Sequence, residues 1–275
     1  MKPYRHPASL GILILIVAAL VWLYSGTDNS LQRLQAGASL RIGYAVEPPY
    51  AVIEADGRLT GEAPEIARRI AAALGIKQLE WRQLEFGELI PELENGSIDV
   101  IAAGMFITPD RAKRVAFSDP TWHVRPGLLV SRDNPKGILS YRQASSRPEL
   151  RIAVLAGSIE EQLIQEFSSG KSQPLRVPDA LTGRVAVEAG LADALMLSEP
   201  SVRWLSRQNQ LGSTDAVFPE STPGDDMTYG RTAFAFRLSE RALRQGWNKA
   251  LHAYLGSKDH RELLVRLGLS SEVKP

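Results

Sequence analysis

The sequence lacks cysteine entirely, which excludes a disulfide framework, a thiol nucleophile and a lipid-modified cysteine behind an export signal. Histidine is scarce too, and the four residues of this type are scattered without the spacing of metal ligands. No G-x-S-x-G turn presents a serine nucleophile. Residues 169–172, SGKS, resemble the end of a phosphate-binding loop, but they follow a predicted helix instead of opening one. We therefore expect neither a metal nor another cofactor.

The chain also lacks an excess of charge of either sign, since its formal net charge is +1 over 275 residues. Proteins that bind nucleic acids usually carry a basic surplus, so we expect no nucleic-acid partner. The composition, 44% hydrophobic and 23% charged, is that of an ordinary globular protein with room for one large core or two modest ones.

One long hydrophobic run is present, and it lies at the N-terminus. Lys2 and Arg5 precede an uncharged stretch from residue 8 to residue 24, close to the shortest length, about 17 residues, that spans a bilayer. The run ends in Trp22 and Tyr24, without the small residues of a cleavage site. Residues 1–26 are therefore predicted to be a membrane anchor or a removed signal, with the anchor favoured, and residues 27–38 a polar spacer. Either segment predicts a periplasmic location for the rest of the chain.

Beyond the spacer, strand patterns alternate with helix patterns. Short apolar runs that suit buried strands begin at Leu40 and Arg151, and each is followed by a helical pattern, at residues 61–75 and 158–167. This alternation predicts an α/β fold with mainly parallel sheets. The turn-rich segment after residue 131 indicates a crossover, so we predict a first lobe over residues 39–130 and a second lobe from residue 131.

The candidate chemistry concentrates in residues 85–120. A predicted helical segment there is followed by a predicted apolar strand at residues 98–103. The chain then presents Phe106, Thr108 as a helix cap, Pro109 as the first helical residue, and Arg111. An aromatic ring, a hydroxyl and a guanidinium thus follow the carboxyl end of a strand, where open α/β sheets bind ligands.

These residues resemble a known family. The run DVIAAGMFITPDRAKRVAFSDP is similar to the signature of the periplasmic solute-binding proteins that feed ABC importers of polar amino acids and related small zwitterions. The resemblance covers most of the chain from about Leu40, with GYAVEPPYAV, GRLTGEAPEIARRIAAALGI and RIAVLAGSIEE in the expected order. Within the family, Glu47-Pro-Pro-Tyr50 together with GEAPE and GMFIT is similar to the branch that binds ectoine and hydroxyectoine.

The resemblance implies a two-lobed periplasmic-binding-protein fold with two hinge crossings, preceded by the N-terminal signal or transmembrane helix. The strand at residues 231–237 would return to the first lobe, so that the second lobe spans residues 131–227 and residues 228–275 complete the first. Two crossings form a hinge on which the lobes close. The implied function is capture of a small zwitterion, ectoine-like or amino-acid-like, for an ABC permease.

Arg111 is the predicted ligand for a carboxylate, because a guanidinium offers two parallel donors and arginine at this place has that role in the resembled family. A cation near a helix N-terminus is unfavourable unless an anion lies there, which disfavours a solvated surface arginine. Phe106, Tyr50 and Tyr44 are predicted aromatic walls, although aromatic residues more often belong to a core. Glu47 lies in a proline-rich turn, and we predict that it accepts hydrogen bonds from the ligand's cation and is not merely an exposed acid.

The remaining predicted contacts lie where strands end, as Thr108 does. Gly157 and Ser158 open a helix directly after a strand, which is typical both of an anion site and of an ordinary helix cap. Ser198 follows the strand at residues 194–197, where amino-acid binders of the resembled family usually place an aspartate for the ligand ammonium. The absence of this aspartate disfavours a standard α-amino acid and favours a ligand whose cation is satisfied by Glu47 and aromatic rings.

We expect a binding protein and not an enzyme, but two alternatives stay open. Cyclohexadienyl dehydratases share the resembled fold, and Glu47 or Glu199 would then act as a general acid in a closed cleft. A membrane-anchored sensor would instead present the state of the ligand to a membrane partner. Turnover of a labelled substrate would separate an enzyme from a binder, and neighbouring permease genes would favour transport over sensing.

Overall fold

A computed structural model describes residues 28–168, 173–208, 213–219 and 230–269. The predicted anchor or signal at residues 1–26 lies outside this part of the chain. Within the described ranges, no helix combines the length and the apolar composition that crossing a membrane requires.

The described strands form two large sheets and one small hairpin. In chain order they are β1 Leu40–Tyr44, β2 Val52–Ile53, β3 Leu59–Thr60, β4 Leu79–Gln83, β5 Val100–Phe106, β6 Val115–Phe117, β7 Trp122–Val124, β8 Pro126–Ser131, β9 Ile152–Leu155, β10 Leu175–Val177, β11 Ala194–Ser198, β12 Thr214–Val217 and β13 Gly230–Arg237. The first sheet has the order β4-β1-β5-β13-β6, with β7 also paired to β13, and the second has the order β10-β9-β11-β8-β12. Strands β2 and β3 form the hairpin.

The helices cover these sheets and connect their parallel strands. They are α1 Ser30–Gln35, α2 Glu62–Ala73, α3 Leu89–Glu94, α4 Pro109–Ala112, α5 Tyr141–Ser146, α6 Ile159–Phe167, α7 Ala180–Glu188, α8 Glu199–Arg207, α9 Arg241–Tyr254 and α10 Lys258–Arg266, with a single 3-10 turn at Phe86–Glu88. The predicted strand at Leu40 and the predicted helix at residues 158–167 agree with β1 and α6 to within a residue or two. The predicted α/β class is confirmed.

The chain passes between the sheets twice. The first passage lies between β7 in the first sheet and β8 in the second, and the other lies between β12 and β13. Strand β8 therefore belongs to the second lobe, which differs from the boundary predicted at residue 130. Its antiparallel pairing with β11, in which Leu129 lies opposite Leu195, decides this, whereas its apolar run fits either sheet equally well.

Buried hydrophobic residues of the described chain form clusters inside each lobe and one cluster that both lobes share. In the first lobe, Trp247 of α9 packs edge-on against Phe234 and Phe236 of β13, with ring centroids 5.1 and 5.5 Å away. Another buried cluster contains Leu89 of the first lobe together with Leu197 of the second. Because apolar side chains of both lobes share this cluster, the structure represents the lobes in contact.

Glu62 is a buried acid at the N-terminus of α2. It is 2% exposed, and its backbone N–H donates to the carbonyl oxygen of Pro49 in the loop after β1. Burial raises the pKa of the Glu62 carboxyl to about 7, although a hydrogen bond from the Thr121 side chain works in the opposite direction. The folded protein therefore holds a proton here over a pH range in which the unfolded chain does not.

We expect the substitution Glu62→Gln to remove a pH dependence of stability. Since the pKa rises from 4.5 to about 7, the wild-type free energy of unfolding should fall as the pH rises through this window. The loss is at most about 3 kcal/mol, from about 1.4 kcal/mol per pKa unit. We therefore expect denaturant unfolding to show that, between pH 5 and pH 8, the free energy of unfolding of the wild type falls relative to that of the variant by up to this amount. Glu166→Gln, on an exposed position of α6, is the control, and parallel curves for Glu62→Gln and wild type would contradict the idea.

Candidate functional site

The candidate site lies between the lobes, at the carboxyl ends of strands from both sheets. The loop after β1 carries Glu47 and Tyr50, and Phe106 ends β5 in the same lobe. From the second lobe, Gly157 follows β9 and Ser198 ends β11. The strand ends bring these residues together although Glu47 and Ser198 are about 150 positions apart in the sequence.

Arg111 is buried at the centre of this arrangement, with 6% of its surface exposed. The hydroxyl of Thr108 caps α4 by accepting from the backbone N–H of Arg111, at 3.2 Å, and so fixes the start of the helix. The guanidinium donates to the carbonyl oxygens of Phe106, at 3.0 Å, and of Gly157 in the other lobe, at 3.1 Å. It also lies over the ring of Phe86, 5.4 Å from the centroid. Burial lowers the pKa of Arg111, whereas the nearby carboxyls of Glu160 and Glu47 oppose that shift.

Gly157 and Ser158 do not present free donors to the cleft, as the predicted anion site requires, because both interact with Glu161. The backbone N–H of Gly157 donates to Oε2 of Glu161 at 2.8 Å, and the Ser158 hydroxyl caps α6 by accepting from the N–H of Glu161 at 3.2 Å. Only the carbonyl oxygen of Gly157 is directed at Arg111. In this conformation the pair thus supplies a helix cap and one acceptor, and a contact with ligand stays a prediction.

A chain of hydroxyl groups joins the two lobes beside Arg111. The Tyr50 hydroxyl donates to the Ser198 hydroxyl at 3.2 Å, Ser198 donates to Ser201 at 3.0 Å, and Ser201 donates to Oε1 of Glu47 at 2.7 Å. Glu47 and Tyr50 belong to one loop of the first lobe, while both serines start α8 of the second. Ser198, with 1% of its surface exposed, therefore caps α8 and also accepts the hydrogen bond of the Tyr50 hydroxyl.

Glu47 is 8% exposed, so its charged form is costly. Burial raises the pKa of its carboxyl to about 8, the bond from Ser201 and the charge of Arg111 lower it, and the charge of Glu160 raises it further. At neutral pH the carboxyl is therefore mainly protonated in this conformation.

Glu160 is a site residue that the sequence did not reveal. It lies in the first turn of α6, 5% exposed, and burial raises the pKa of its carboxyl. An acid in a first helical turn normally complements the helix dipole, so no feature of the sequence distinguishes Glu160 from an ordinary helix-start acid. Ser201 and Tyr141 were missed too, since neither carries a pattern of its own. The described residues contain no group of three or more acidic or histidine side chains that would hold a metal ion.

A cavity of about 480 Å³ opens next to these groups. Phe106 and Thr108 line it from the first lobe, and Tyr141 and Glu160 line it from the second. This volume falls in the range of pockets for small molecules, about 300–1,000 Å³.

Tyr44 is the predicted site residue that the structure does not bring to this cluster. Its ring packs edge-on against Trp81, with centroids 6.3 Å apart, and its hydroxyl donates to Oε1 of Gln83 at 3.4 Å. Tyr50 does reach the cluster, but as a fully buried ring whose hydroxyl, not its face, is directed to the second lobe. Its ring covers Gly104, where a Cβ would lie 2.5 Å from the ring.

Comparison with known proteins agrees with this geometry. Residues 40–266 match the profile of the bacterial extracellular solute-binding proteins, family 3. The chain belongs to this family. The resemblance inferred from its motifs is thus confirmed, and with it the two-lobed α/β fold.

Individual relatives are distant in sequence and close in structure. A probable amino-acid ABC transporter periplasmic-binding protein of Sinorhizobium fredii is 26% identical over 88% of this chain and 81% of its own length. The crystal structure of EhuB in complex with hydroxyectoine superimposes with a TM-score of 0.78 at 28% identity, covering 88% of this chain and 93% of the other. AncCDT-1, an ancestral amino-acid-binding protein and a precursor of cyclohexadienyl dehydratase, gives 0.76 at 26% identity, covering 86% and 99%.

Two glycines allow the lobes to meet. A Cβ on Gly157 would lie 2.6 Å from the Cα of Gly87 in the first lobe, a distance that real Cβ atoms do not show. Gly157 also has a φ of +75°, in the left-handed region. Closure at this point therefore depends on the absence of a side chain.

We expect Gly157→Ala to hold the lobes apart. Ligand should bind at least about tenfold more weakly, equivalent to about 1.4 kcal/mol, because closure is opposed. X-ray scattering should show that saturating ligand contracts the wild type and contracts the variant less. The control is Gly190→Ala, which imposes similar left-handed strain, with φ +67°, but meets no atom within 4 Å. Equal contraction in both variants would contradict the role given to the glycine pair.

Proposed function

We propose that the protein captures a small zwitterion of the amino-acid or ectoine type between its lobes and delivers it to an ABC importer. The observation that supports this most is the combination of one buried guanidinium, Arg111, with two buried carboxyls, Glu47 and Glu160, in a cleft formed by both lobes. A zwitterion complements such a site because each of its charged ends meets a group of opposite charge.

The carboxylate end of the ligand is assigned to Arg111. Its two present acceptors are neutral carbonyl oxygens, those of Phe106 and Gly157. A carboxylate forms stronger, charge-assisted bonds with the same planar donors and offsets the cost of burying the cation. Arg111 would then link the ligand to the loops of both lobes.

The cationic end of the ligand is assigned to the buried carboxyls and the ring of Phe106. Ser198 is the last residue of β11 and forms hydrogen bonds with Tyr50 and Ser201, so no carboxylate is present there for an α-ammonium. A delocalised amidinium, as in ectoine, gains from stacking on an aromatic ring as well as from a carboxylate. The structural similarity to EhuB, whose complex contains hydroxyectoine, supports this ligand class.

The proposed partner is an ABC permease in the inner membrane, with the binding domain in the periplasm. The predicted anchor at residues 1–26 would keep the domain near that permease. Co-purification of a permease with the full chain would support import, whereas co-purification of a signalling receptor alone would support a sensor.

One observation favours a second candidate, a dehydratase of the cyclohexadienyl type. The raised pKa of Glu47, about 8, leaves a protonated carboxyl in a closed cleft, as a general acid requires. AncCDT-1 is itself an amino-acid-binding protein, but as a precursor of cyclohexadienyl dehydratase it shows that the fold is compatible with this chemistry. We expect no turnover of a cyclohexadienyl acid by the wild type. Turnover that Glu47→Gln abolishes would instead establish an enzyme.

We expect Arg111→Ala to weaken ectoine binding by about 1.5 to 3 kcal/mol, the contribution of a hydrogen bond to a charged group. Arg111→Lys should restore only part of the loss, because an ammonium lacks the planar pair of donors. Calorimetric titration measures both. Arg114→Ala serves as the control, since this arginine is exposed and paired with Glu94 at 2.5 Å. Unchanged affinity in Arg111→Ala would rule out its assignment to the carboxylate.

We expect ectoine to bind more tightly than glutamine, histidine or arginine at neutral pH, and Phe106→Ala to weaken ectoine by about 1 to 3 kcal/mol through lost stacking. Competition calorimetry with the wild type gives the ranking. Phe167→Ala, which removes a half-buried ring at the far end of α6, controls for general destabilisation. If an α-amino acid binds tightly and Phe106→Ala does not change its affinity, the proposed ectoine-like ligand class is wrong. The assignment of the chain to its family would not be affected.

A further inference from the structure

The buried charges of the cleft do not balance. Glu47 and Glu160 are 8% and 5% exposed, Arg111 is 6% exposed, and these three form one electrostatic group. With every group ionised the cluster carries one net negative charge. A buried net charge is costly, so either a proton or a positively charged ligand must compensate it.

The two carboxyls occupy different places in the cluster. Glu47 accepts from Ser201 across the lobes, at 2.7 Å. Glu160 lines the cavity, where the Ser158 side chain forms a hydrogen bond with its carboxyl and Arg111 is the cation that acts on it. The donors of Arg111 are directed at the carbonyl oxygens of Phe106 and Gly157 and so do not neutralise Glu160 by a direct bond.

The other ionisable groups nearby leave this imbalance unchanged. Tyr50 and Tyr141 face the carboxyls as neutral hydroxyls, and burial raises the pKa of Tyr141 further. The charged side chains on the neighbouring helices already have partners of their own: Glu161 with Arg176, Glu199 with Arg203, and Asp179 with the N–H of Thr182. At the cavity rim, Asp110 pairs with Lys113, and the exposed Arg125 and Arg231 are in reach of solvent.

We propose that Glu160 sets the charge preference of the cleft: a neutral zwitterion binds while the Glu47–Glu160 pair keeps one proton, and a ligand with one additional cation binds by displacing that proton to solvent. This inference rests on the proposed function, because it assumes that the ligand carboxylate binds Arg111. Glu160 is then a residue that determines ligand specificity, and the proton shared with Glu47 contributes to the affinity together with protein and ligand.

The charge balance gives opposite behaviour for the two ligand classes. With a neutral zwitterion, the ligand carboxylate neutralises Arg111, the ligand cation neutralises one carboxyl, and the second carboxyl stays protonated. With a dication that carries one carboxylate, such as arginine, both carboxyls must be ionised, so one proton is released. The raised pKa of Glu47, about 8, with burial as its main cause, means that this proton is present at neutral pH.

The ligand test compares L-arginine with ectoine by calorimetry between pH 6 and pH 7.5, in two buffers of different ionisation enthalpy. We expect arginine affinity to rise about tenfold per pH unit, close to 30-fold over the range, with release of one proton. Ectoine affinity should stay constant, with no proton exchanged. Equal pH dependence for the two ligands would overturn the proposal.

The substitution Glu160→Gln tests the residue itself. The arginine slope should disappear, and arginine should bind at least about tenfold more weakly at pH 7.5, whereas ectoine, whose single cation can still meet Glu47, should lose less affinity than arginine does. Glu166→Gln, an exposed glutamate on the same helix, should retain the wild-type slope. A full arginine slope in Glu160→Gln would show that another group carries the proton.

A third measurement needs no ligand, and so separates this inference from the proposed function. Carboxyl NMR of the free protein should show a glutamate that titrates near pH 8 and is absent in Glu47→Gln, while Glu62→Gln identifies the second high titration, near pH 7. In Glu160→Gln the Glu47 midpoint should move to lower pH, because a neighbouring negative charge is removed. An unmoved midpoint overturns the coupling even if ectoine binds. If neither ligand binds but the Glu47 midpoint moves, the proposed ligand class is wrong, whereas the electrostatic coupling between Glu47 and Glu160 is supported.

Discussion

The burial of the Arg111 guanidinium is the constraint around which the cleft is arranged. A buried cation needs acceptors on every donor, and the nearest ones are the carbonyl oxygens of Phe106 in one lobe and Gly157 in the other. Thr108 fixes the backbone of Arg111 at the start of α4, and Phe86 covers the guanidinium with its ring. Because one of the acceptors belongs to the second lobe, Arg111 forms both of these bonds only when the lobes are in contact.

Closure has a second support in the hydroxyl chain from Tyr50 to Glu47. It begins and ends in the first lobe and passes through two serines of the second, and each member is buried, so separating the lobes would break the cross-lobe bonds of Tyr50 and of Ser201 together. Glycine makes both supports possible. Gly104 leaves room for the ring of Tyr50, and Gly157 lets two backbones approach at Gly87, where a Cβ on Gly157 would collide.

Binding and catalysis require different things of the same carboxyls. A binding protein needs the acids of the cleft to match the charge of its ligand, which one guanidinium and two carboxyls achieve with the help of a proton. A dehydratase needs one carboxyl to give its proton to a leaving group. The bond between Ser201 and Glu47 ties that carboxyl to the opposite lobe, which suits a fixed contact better than a proton donor that must approach a substrate.

The sequence by itself determined the α/β class, the positions of most strands and helices, the family and the strand ends that carry the candidate site, because hydrophobic period, helix caps and motifs are local. It also singled out Arg111, whose position after a helix cap is anomalous for a cation. Only the tertiary structure assigned β8 to the second sheet, left Tyr44 outside the cluster and brought Glu160 and Ser201 beside Glu47. Strand pairing, burial and the balance of charge between distant carboxyls depend on contacts across the lobes, and no local pattern records them.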